Sequence, residues 1–357
     1  MPKKYYTVVG IMSGTSLDGI DLVLCRFHQL QRKWHYQIIK AATYEYTSVW
    51  KTRLNEAAFL DAGSFLVLHQ EYGRYIGEQV ISFLGKSRLH VDLVASHGHT
   101  IFHQPEKGLT FQLGSGAAIA AQCGMTTVSD FRTLDVALGG QGAPLVPVGD
   151  ELLFSSYAFC LNLGGFANIS HRKDLVRIAC DICPVNIVAN LLAQRRGMEY
   201  DRDGLMGGSG KIIPGLVEEL NNLGFYAKPA PKSLGREWVE TTFLAVLDRY
   251  VLSAEDLLRS VYEHIAIQIS SYINRCEAGE VLVTGGGAFN RFLMDLLQHK
   301  SGSVLILPGE QLVKFKEALI FAFLGMLRYR HEINCLASVT GAKADSSSGI
   351  IHHSLKK

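Results

Sequence analysis

Two short apolar runs open the chain and set its pattern. Tyr5 to Ile11 is β-branched and aromatic, and Ile20 to Phe27 interleaves apolar with polar positions, so both predict strands. Trp34 to Ala41 supplies a third strand, which starts the sheet antiparallel. Helical spacing follows: Ser64 to Leu84 sets Phe65, Leu68, Tyr72, Ile76, Val80 and Phe83 three or four apart, an amphipathic helix facing a core. Val91–Ala95 and Thr126–Ser129 read as short buried strands. Ala158 to His171 repeats the opening plan of strand, glycine turn and strand about 150 residues later, which points to a duplicated fold. Val176–Ala179 then leads into a helix over Ile187–Arg195. Ser253 to Cys276 predicts a long helix with Leu257, Val261, Ile265 and Ile269 on one side. Val281 to Asn290 runs from a strand into three glycines ahead of a helix at Arg291–Gln298. Lys316–Tyr329 reads as an apolar helix opening on Glu317, and Ser346–Lys357 as a frayed tail. Strands and helices in this order make an α/β protein. The expected division is an N-terminal domain over 1–138, with about 325–357 as its candidate completion, and a C-terminal domain over 139–324.

Composition narrows the class. At 357 residues and 48% hydrophobic, the chain can bury one large or two medium cores. Charged residues are 19% and the net charge is +2, so no strong field argues for nucleic acid or a membrane surface, and small-molecule chemistry is the better expectation. The two lysines at the start lead into a strand rather than a signal-peptide core, and the longest apolar run, Ala318–Leu327, is too short to span a bilayer. A cytoplasmic protein is expected. Seven cysteines scattered through apolar segments read as reduced, buried thiols. Cys180 and Cys183 form a C-x-x-C without a second pair for zinc or a thioredoxin-like context.

The turn between the first two strands is the leading candidate site. Ser13, Gly14, Thr15, Ser16 and Gly19 can aim backbone N–H groups and hydroxyls at one point, which suits phosphate oxygens. Asp18 and Asp21 beside them would repel a phosphate unless a divalent cation lay between, so ATP with magnesium is the inference, with Asp18 and Asp21 as metal ligands. Leu17 and Ile20 complete the candidate ATP-binding span. An ordinary polar hairpin is the competing reading. Gly164 and Gly165 form the second glycine turn. Gly285, Gly286, Gly287 and Asn290 form a strand-to-helix junction where an adenosine or phosphate can approach bare backbone. His97, His99 and His103 cluster around Gly98, as contacts to sugar oxygens or phosphate, next as a structural network and last as a metal site, since no carboxylate or cysteine completes a ligand set. Asp130, Arg132 and Asp135 follow a strand end, where open α/β sheets keep their ligands. Arg132 suits a substrate carboxylate, or a salt bridge to Asp130 or Asp135. Asp181 sits at another strand end, as a base or a helix cap. Asp201 and Asp203 read as a solvated turn. The absence of G-x-x-x-x-G-K-[ST] excludes a P-loop kinase.

Three separated segments, MSGTSLDGID at 12–21, GGQGAPLVP at 139–147 and SVTGA at 338–342, resemble the anhydro-N-acetylmuramic acid kinases, bacterial enzymes of the hexokinase and actin superfamily. The likeness runs from about Val9 to Gly349. It implies a duplicated, ribonuclease H-like fold of two domains around a central cleft, with adenosine at the glycine junction. It also implies an ATP- and magnesium-dependent kinase that opens 1,6-anhydro-N-acetylmuramic acid with water and yields the 6-phosphate in cell-wall recycling. The family motif H-G-x-T-x-x-H-x-P fits His97, Gly98, Thr100, His103 and Pro105, which makes His97 and His103 candidate substrate contacts with Asp130 and Arg132. Its E-A-x-x-F-A pattern fits Glu317, Ala318, Phe321 and Ala322 and implies that Glu317 contacts the sugar. Its D-T-G-P-G-N turn reads DICPVN here, keeping Asp181 as the implied general base but replacing two glycines by Cys183 and Val185. A further likeness at Gly235, Arg236 and Glu237 implies a cleft wall. Ser115 stands where the family commonly carries an acid. A homodimer is the family-like expectation. The alternatives are a kinase for a different sugar, or an inactive nucleotide-binding regulator of the same fold.

Overall fold

The computed structural model describes residues 3–14, 17–86, 89–230 and 232–354. Thr15 and Ser16 of the candidate nucleotide loop lie outside the described residues. The chain builds strands β1 (Tyr6–Ser13), β2 (Gly19–Leu30), β3 (Lys33–Glu45), β4 (Leu93–Gln104), β5 (Leu109–Leu113) and β6 (Thr127–Ser129). It then forms β7 (Phe159–Leu163), β8 (Phe166–Lys173), β9 (Val176–Pro184), β10 (Val281–Thr284) and β11 (Leu305–Ile306), and closes with β12 (Ile350–His352). The helices that matter for function are α1 (Ala62–Leu84), α2 (Gly116–Cys123), α3 (Thr133–Ala137), α4 (Asn186–Gln194), α5 (Ala254–Ile273), α6 (Arg291–Lys300) and α7 (Glu310–Tyr329).

Two compact units result: Met1–Phe154 with Phe315–Lys357, and Ser155–Lys314. The boundaries fall at 154/155 and 314/315 rather than at 138/139 and about 324/325. The loop at 139–147 belongs inside the first unit because its backbone is tied to Asp135 and Thr340, and Gly149 just beyond it lies against Ile320.

In the first unit the sheet order is β12-β6-β4-β1-β2-β3, with β5 added to β4. β1, β2 and β3 are successively antiparallel, and β4 and β6 continue parallel to β1. The second unit has the order β11-β10-β7-β8-β9, again with three antiparallel strands followed by two parallel ones. With the side-paired β5 and the edge strand β12 set aside, each sheet therefore reads third, second, first, fourth, fifth in its own chain order. That shared topology is the ribonuclease H-like plan of the actin and hexokinase folds, present twice.

The local physics follows the sequence pattern. Asp61 caps α1 by accepting the N–H groups of Gly63 and Ser64 at 2.9 and 3.1 Å. The helix buries Leu68, Tyr72, Ile76, Val80 and Phe83 against Val9, Ile11, Ile20, Leu22 and Leu24. The other face of β1 lies under α7, where a Cβ on Gly10 would sit only 2.7 Å from that of Ala322, so only glycine permits this approach. Coverage on both faces explains why Val8–Ile11 is apolar throughout. In the second unit α5 buries Leu257, Val261, Ile265 and Ile269 among Phe159, Leu161 and Ile169.

Three sequence readings shift. α7 begins at Glu310, so Glu317 lies inside the helix rather than at its start. Ile350–His352 pairs antiparallel with β6, so part of the expected frayed tail is a sheet edge. β9 continues through Asp181 to Pro184, beyond the expected end at Ala179. Among the described residues no helix is long and apolar enough to cross a membrane.

Candidate active site

The chemistry of the first unit gathers at the ends of β1, β4 and β6. Arg132 follows β6, and its Nε donates to His97 Nε2 at 2.9 Å while Nη1 donates to the Gly142 carbonyl at 2.6 Å. His97 Nδ1 in turn contacts the Gly98 carbonyl at 2.8 Å. A carbonyl only accepts, so Nδ1 carries the proton and Nε2 offers its lone pair to the guanidinium. Burial, followed by the Arg132 charge, holds the His97 pKa well below the usual range. Burial also lowers Arg132, to about 10, against the raising influence of Glu317, Cys335 and Asp135. Glu317 is raised by burial, lowered by Arg132 and raised again by Asp21. His103, which bonds Thr110 at 3.1 Å, is lowered by burial and then by Arg132. His97, His103, Arg132 and Glu317, predicted separately from positions far apart in the chain, are thus electrostatic neighbours, and Asp21 joins them.

Arg132 spends its hydrogen bonds on His97 and Gly142 rather than on Asp130 or Asp135. Asp130 adopts φ of +58°, and its carboxylate accepts the Thr133 N–H, the first of α3, at 3.3 Å. It also lines a cavity of about 210 Å³ with His69, His97, Ser115, Ser129 and His352. Ser115, at the position where an acid is common, accepts the Ala118 N–H at 3.3 Å as the cap of α2.

The hairpin loop divides into two chemistries. Asp21 faces Thr43, whose hydroxyl donates to it at 2.6 Å, and its pKa is raised by burial, with the Asp18 charge adding to the rise. Asp18 is exposed. Two carboxylates in this relation fit a divalent cation, which would relieve their mutual repulsion. Ser13 points the other way. Its hydroxyl contacts Tyr46 at 2.6 Å, Tyr72 at 2.8 Å and His99 Nδ1 at 3.2 Å, and the two phenols also bond each other. The Ser13 side chain is committed to this buried cluster, which leaves phosphate contact at this position to the backbone. Leu17 has φ of +59°, and Gly19 and Ile20 open β2 opposite Glu45 and Tyr44. Gly14 joins β1 to the loop.

In the second unit Asp181 lies in β9 opposite Asn168. Its Oδ2 accepts the Leu234 N–H at 2.8 Å and its backbone N–H donates to the Lys232 carbonyl at 2.9 Å. Burial raises its pKa, and the Leu234 bond offsets part of that rise. The segment before Gly235, Arg236 and Glu237 therefore holds the candidate base, while Arg236 itself pairs with Glu240 at 2.7 Å. Cys183 and Val185, in place of the two glycines of the family turn, are fully buried in the core of this unit. The N–H groups of Val185, Asn186 and Ile187 bond the carbonyls of Gly164 and Gly165, so the second glycine turn packs on the start of α4. Cys180 and Cys183 are free thiols.

The glycine junction is closely built. Gly285 has φ of +85°, and a Cβ there would lie 2.7 Å from Asn162 Oδ1; one on Gly287 would lie 2.9 Å from the Leu163 Cβ. Gly286 is exposed, and a Cβ there would meet only Asn186 Nδ2, at 3.6 Å. Asn290 accepts the Leu293 N–H at 2.9 Å as the cap of α6. Asp201, expected in a solvated turn, is instead buried and accepts the N–H groups of Met206 and Gly207 at 2.8 and 2.9 Å and the Tyr262 hydroxyl at 3.0 Å.

With this geometry in place, the relationship to known proteins is direct. The family model for anhydro-N-acetylmuramic acid kinase matches residues 6–354. The chain belongs to the anhydro-N-acetylmuramic acid kinase family. It is 34% identical to the anhydro-N-acetylmuramic acid kinase of Vibrio cholerae, over 97% of this chain and 98% of that one. The proteins of the same name from Sulfurimonas denitrificans and Aliivibrio fischeri are 31% and 33% identical, each over 96% of this chain and 98% of theirs. In this kinase family setting, the substitutions at Cys183 and Val185 are core-filling side chains beside a retained carboxylate.

Proposed function

We propose that this chain transfers the terminal phosphoryl group of ATP to 1,6-anhydro-N-acetylmuramic acid while water opens the anhydro bridge. The observation that carries the reading is Asp181, a carboxylate anchored through one oxygen by the Leu234 N–H and made more basic by burial. A base so held takes a proton from a water attacking the anomeric carbon. The bond between that carbon and the bridging oxygen breaks, and the freed sixth-position oxygen takes the phosphoryl group, leaving ADP. One proton passes to Asp181, and the products are N-acetylmuramic acid 6-phosphate and ADP.

Arg132, fixed by His97 and Gly142, offers its remaining donors to the lactyl carboxylate of the sugar. Glu317, His103 and Asp130 supply further contacts to the sugar. The loop from Ser13 to Asp21 and the turn Gly164–Gly165 take the phosphates, and Gly285–Gly287 with Asn290 take the adenosine. Magnesium, when bound, neutralises charge on the terminal phosphates, and Asp18 and Asp21 are the residues to hold it. The same reading carries a cytoplasmic location and a homodimer.

Turnover in oxygen-18 water tests the bond order. The expected label sits on the anomeric hydroxyl of the sugar 6-phosphate, with none in its phosphate. Label in released inorganic phosphate, with the sugar unlabelled, would mean ATP hydrolysis in place of the proposed transfer.

A further inference from the structure

Asp135 is a fully buried carboxylate that the reaction does not use. Its Oδ2 accepts the Gly142 N–H at 2.7 Å, and its Oδ1 accepts the Thr340 hydroxyl at 2.7 Å and the Cys335 thiol at 3.1 Å. Two backbone bonds join the same segments: Gln141 N–H to the Thr340 carbonyl at 2.8 Å and Lys343 N–H to the Leu138 carbonyl at 3.1 Å. The glycines of the 139–142 loop make room for this arrangement. A Cβ on Gly140 would collide with the Asp135 carboxylate, and Gly142, at φ of +66°, has Val136 within 2.7 Å of its Cβ position. Burying a carboxylate among neutral donors is costly, and an apolar side chain would pack there at less expense in solvation. What an apolar side chain cannot do is accept bonds from three chain segments at once.

Gly142 links this cluster to the site. Its N–H goes to Asp135 while its carbonyl receives Arg132 Nη1 at 2.6 Å. We propose that Asp135 is a positioning residue for Arg132, setting the guanidinium through Gly142 and locking the 139–142 loop to the 338–342 turn. The inference rests on the reading of Arg132 as the partner of the sugar carboxylate. It makes the turn at 338–342 part of the specificity apparatus without any contact to substrate.

Asp135→Asn tests it, because the amide keeps the volume but turns one of the two acceptor atoms into a donor, so the bonds to Gly142 and to Thr340 and Cys335 can no longer all be kept as they are. The expected result is a rise of about tenfold or more in KM for the sugar, the scale of one lost charged acceptor, with KM for ATP changed by less than about twofold. In an Arg132→Lys background the same change should have a much smaller effect, since both act through one contact. Thr340→Val, which removes one donor at constant volume, should shift the sugar KM in the same direction if the asparagine variant fails to fold. Amide exchange in the absence of substrate supplies a readout independent of turnover. Exchange at 139–142 and 338–343 should rise together in Asp135→Asn. Equal increases in both KM values, an undiminished effect in the Arg132→Lys background, or unchanged exchange at both segments would overturn the proposal. An inactive wild type with the anhydro sugar would instead remove the functional reading and leave the exchange result to judge the coupling.

Discussion

Arg132 and His97 form a one-way pair in which the guanidinium donates and the imidazole only accepts, at 2.9 Å. The Gly98 carbonyl fixes the other ring nitrogen as a donor, so the neutral tautomer is built in. Burial disfavours the charged ring, and the Arg132 cation beside it adds to that, which is why the His97 pKa lies well below the ordinary histidine value.

His97→Ala should leave Arg132 Nε without its acceptor and let the guanidinium turn. The expected cost is about 1–3 kcal/mol of sugar binding, or roughly five- to 150-fold in KM, with little change in KM for ATP. Initial rates over a matrix of both substrates separate the two. A matching rise in the ATP constant would show that the pair serves the fold in general rather than the sugar.

Asp181 should govern the acid limb of the pH profile. A base works only when ionised, and burial raises this carboxyl above its ordinary value of 3.8, so activity should be full above the raised pKa and fall as pH drops through it. His97 and His99 are both held low by burial, His99 to about 4, so neither should add a limb near pH 6.5. Asp181→Asn should bind ATP and sugar but lose about a hundred- to ten-thousandfold in kcat, in keeping with general-base contributions. Near wild-type turnover in that variant would remove Asp181 from the base role.

The buried cluster of Ser13, Tyr46, Tyr72 and His99 should act on the nucleotide loop. Burial pushes Tyr46 up to about 12 and Tyr72 well above its ordinary value, so both stay protonated at all working pH values. Tyr72→Phe removes the bonds to both Ser13 and Tyr46, of which the Ser13 bond bears on the loop, and should raise KM for ATP by about three- to tenfold, the effect of one neutral hydrogen bond at the loop, while the sugar constant stays within about twofold. Isothermal titration with ATP alone provides the check.

Acid stability should reflect His264, which is fully buried between Asn221 and Tyr226 at 2.6 and 2.9 Å. Burial lowers its pKa to about 3. A histidine depressed in the folded state binds its proton more readily when unfolded, so its contribution is complete above about pH 6.5 and declines as pH falls toward 3, by about 1.4 kcal/mol per pH unit. Asp21, Asp181 and Glu317, raised by burial, act in the opposite sense at lower pH. Denaturant unfolding at pH 7.5, 6.0 and 5.0 should give a shallower pH dependence for His264→Gln than for wild type. Parallel slopes would contradict the assignment.

Local patterns in the sequence carried much of this fold. The pairing of β1 with β2, the apolar face of α1 and the duplicated opening at Phe159 all follow from periodicity and glycine turns that a short window contains. What stayed hidden depends on contacts across long separations. Nothing near Ser13 indicates that Tyr46 and Tyr72 will enclose its hydroxyl, and Asp135 reads as one acid among several until Thr340 and Cys335 fold against it. β12 has only three residues, too few to show alternation, and is defined by its pairing with β6. The early start of α7 was masked by polar residues, Glu310 and Lys314, that pair one turn apart.

The most direct test is sugar-dependent ADP release. Purified protein with ATP and magnesium should release ADP with 1,6-anhydro-N-acetylmuramic acid and not with ordinary hexoses or without sugar, and the product should carry phosphate on the sixth position. Release with another sugar and none with the anhydro substrate would contradict the account, as would ATP binding without any sugar-dependent release.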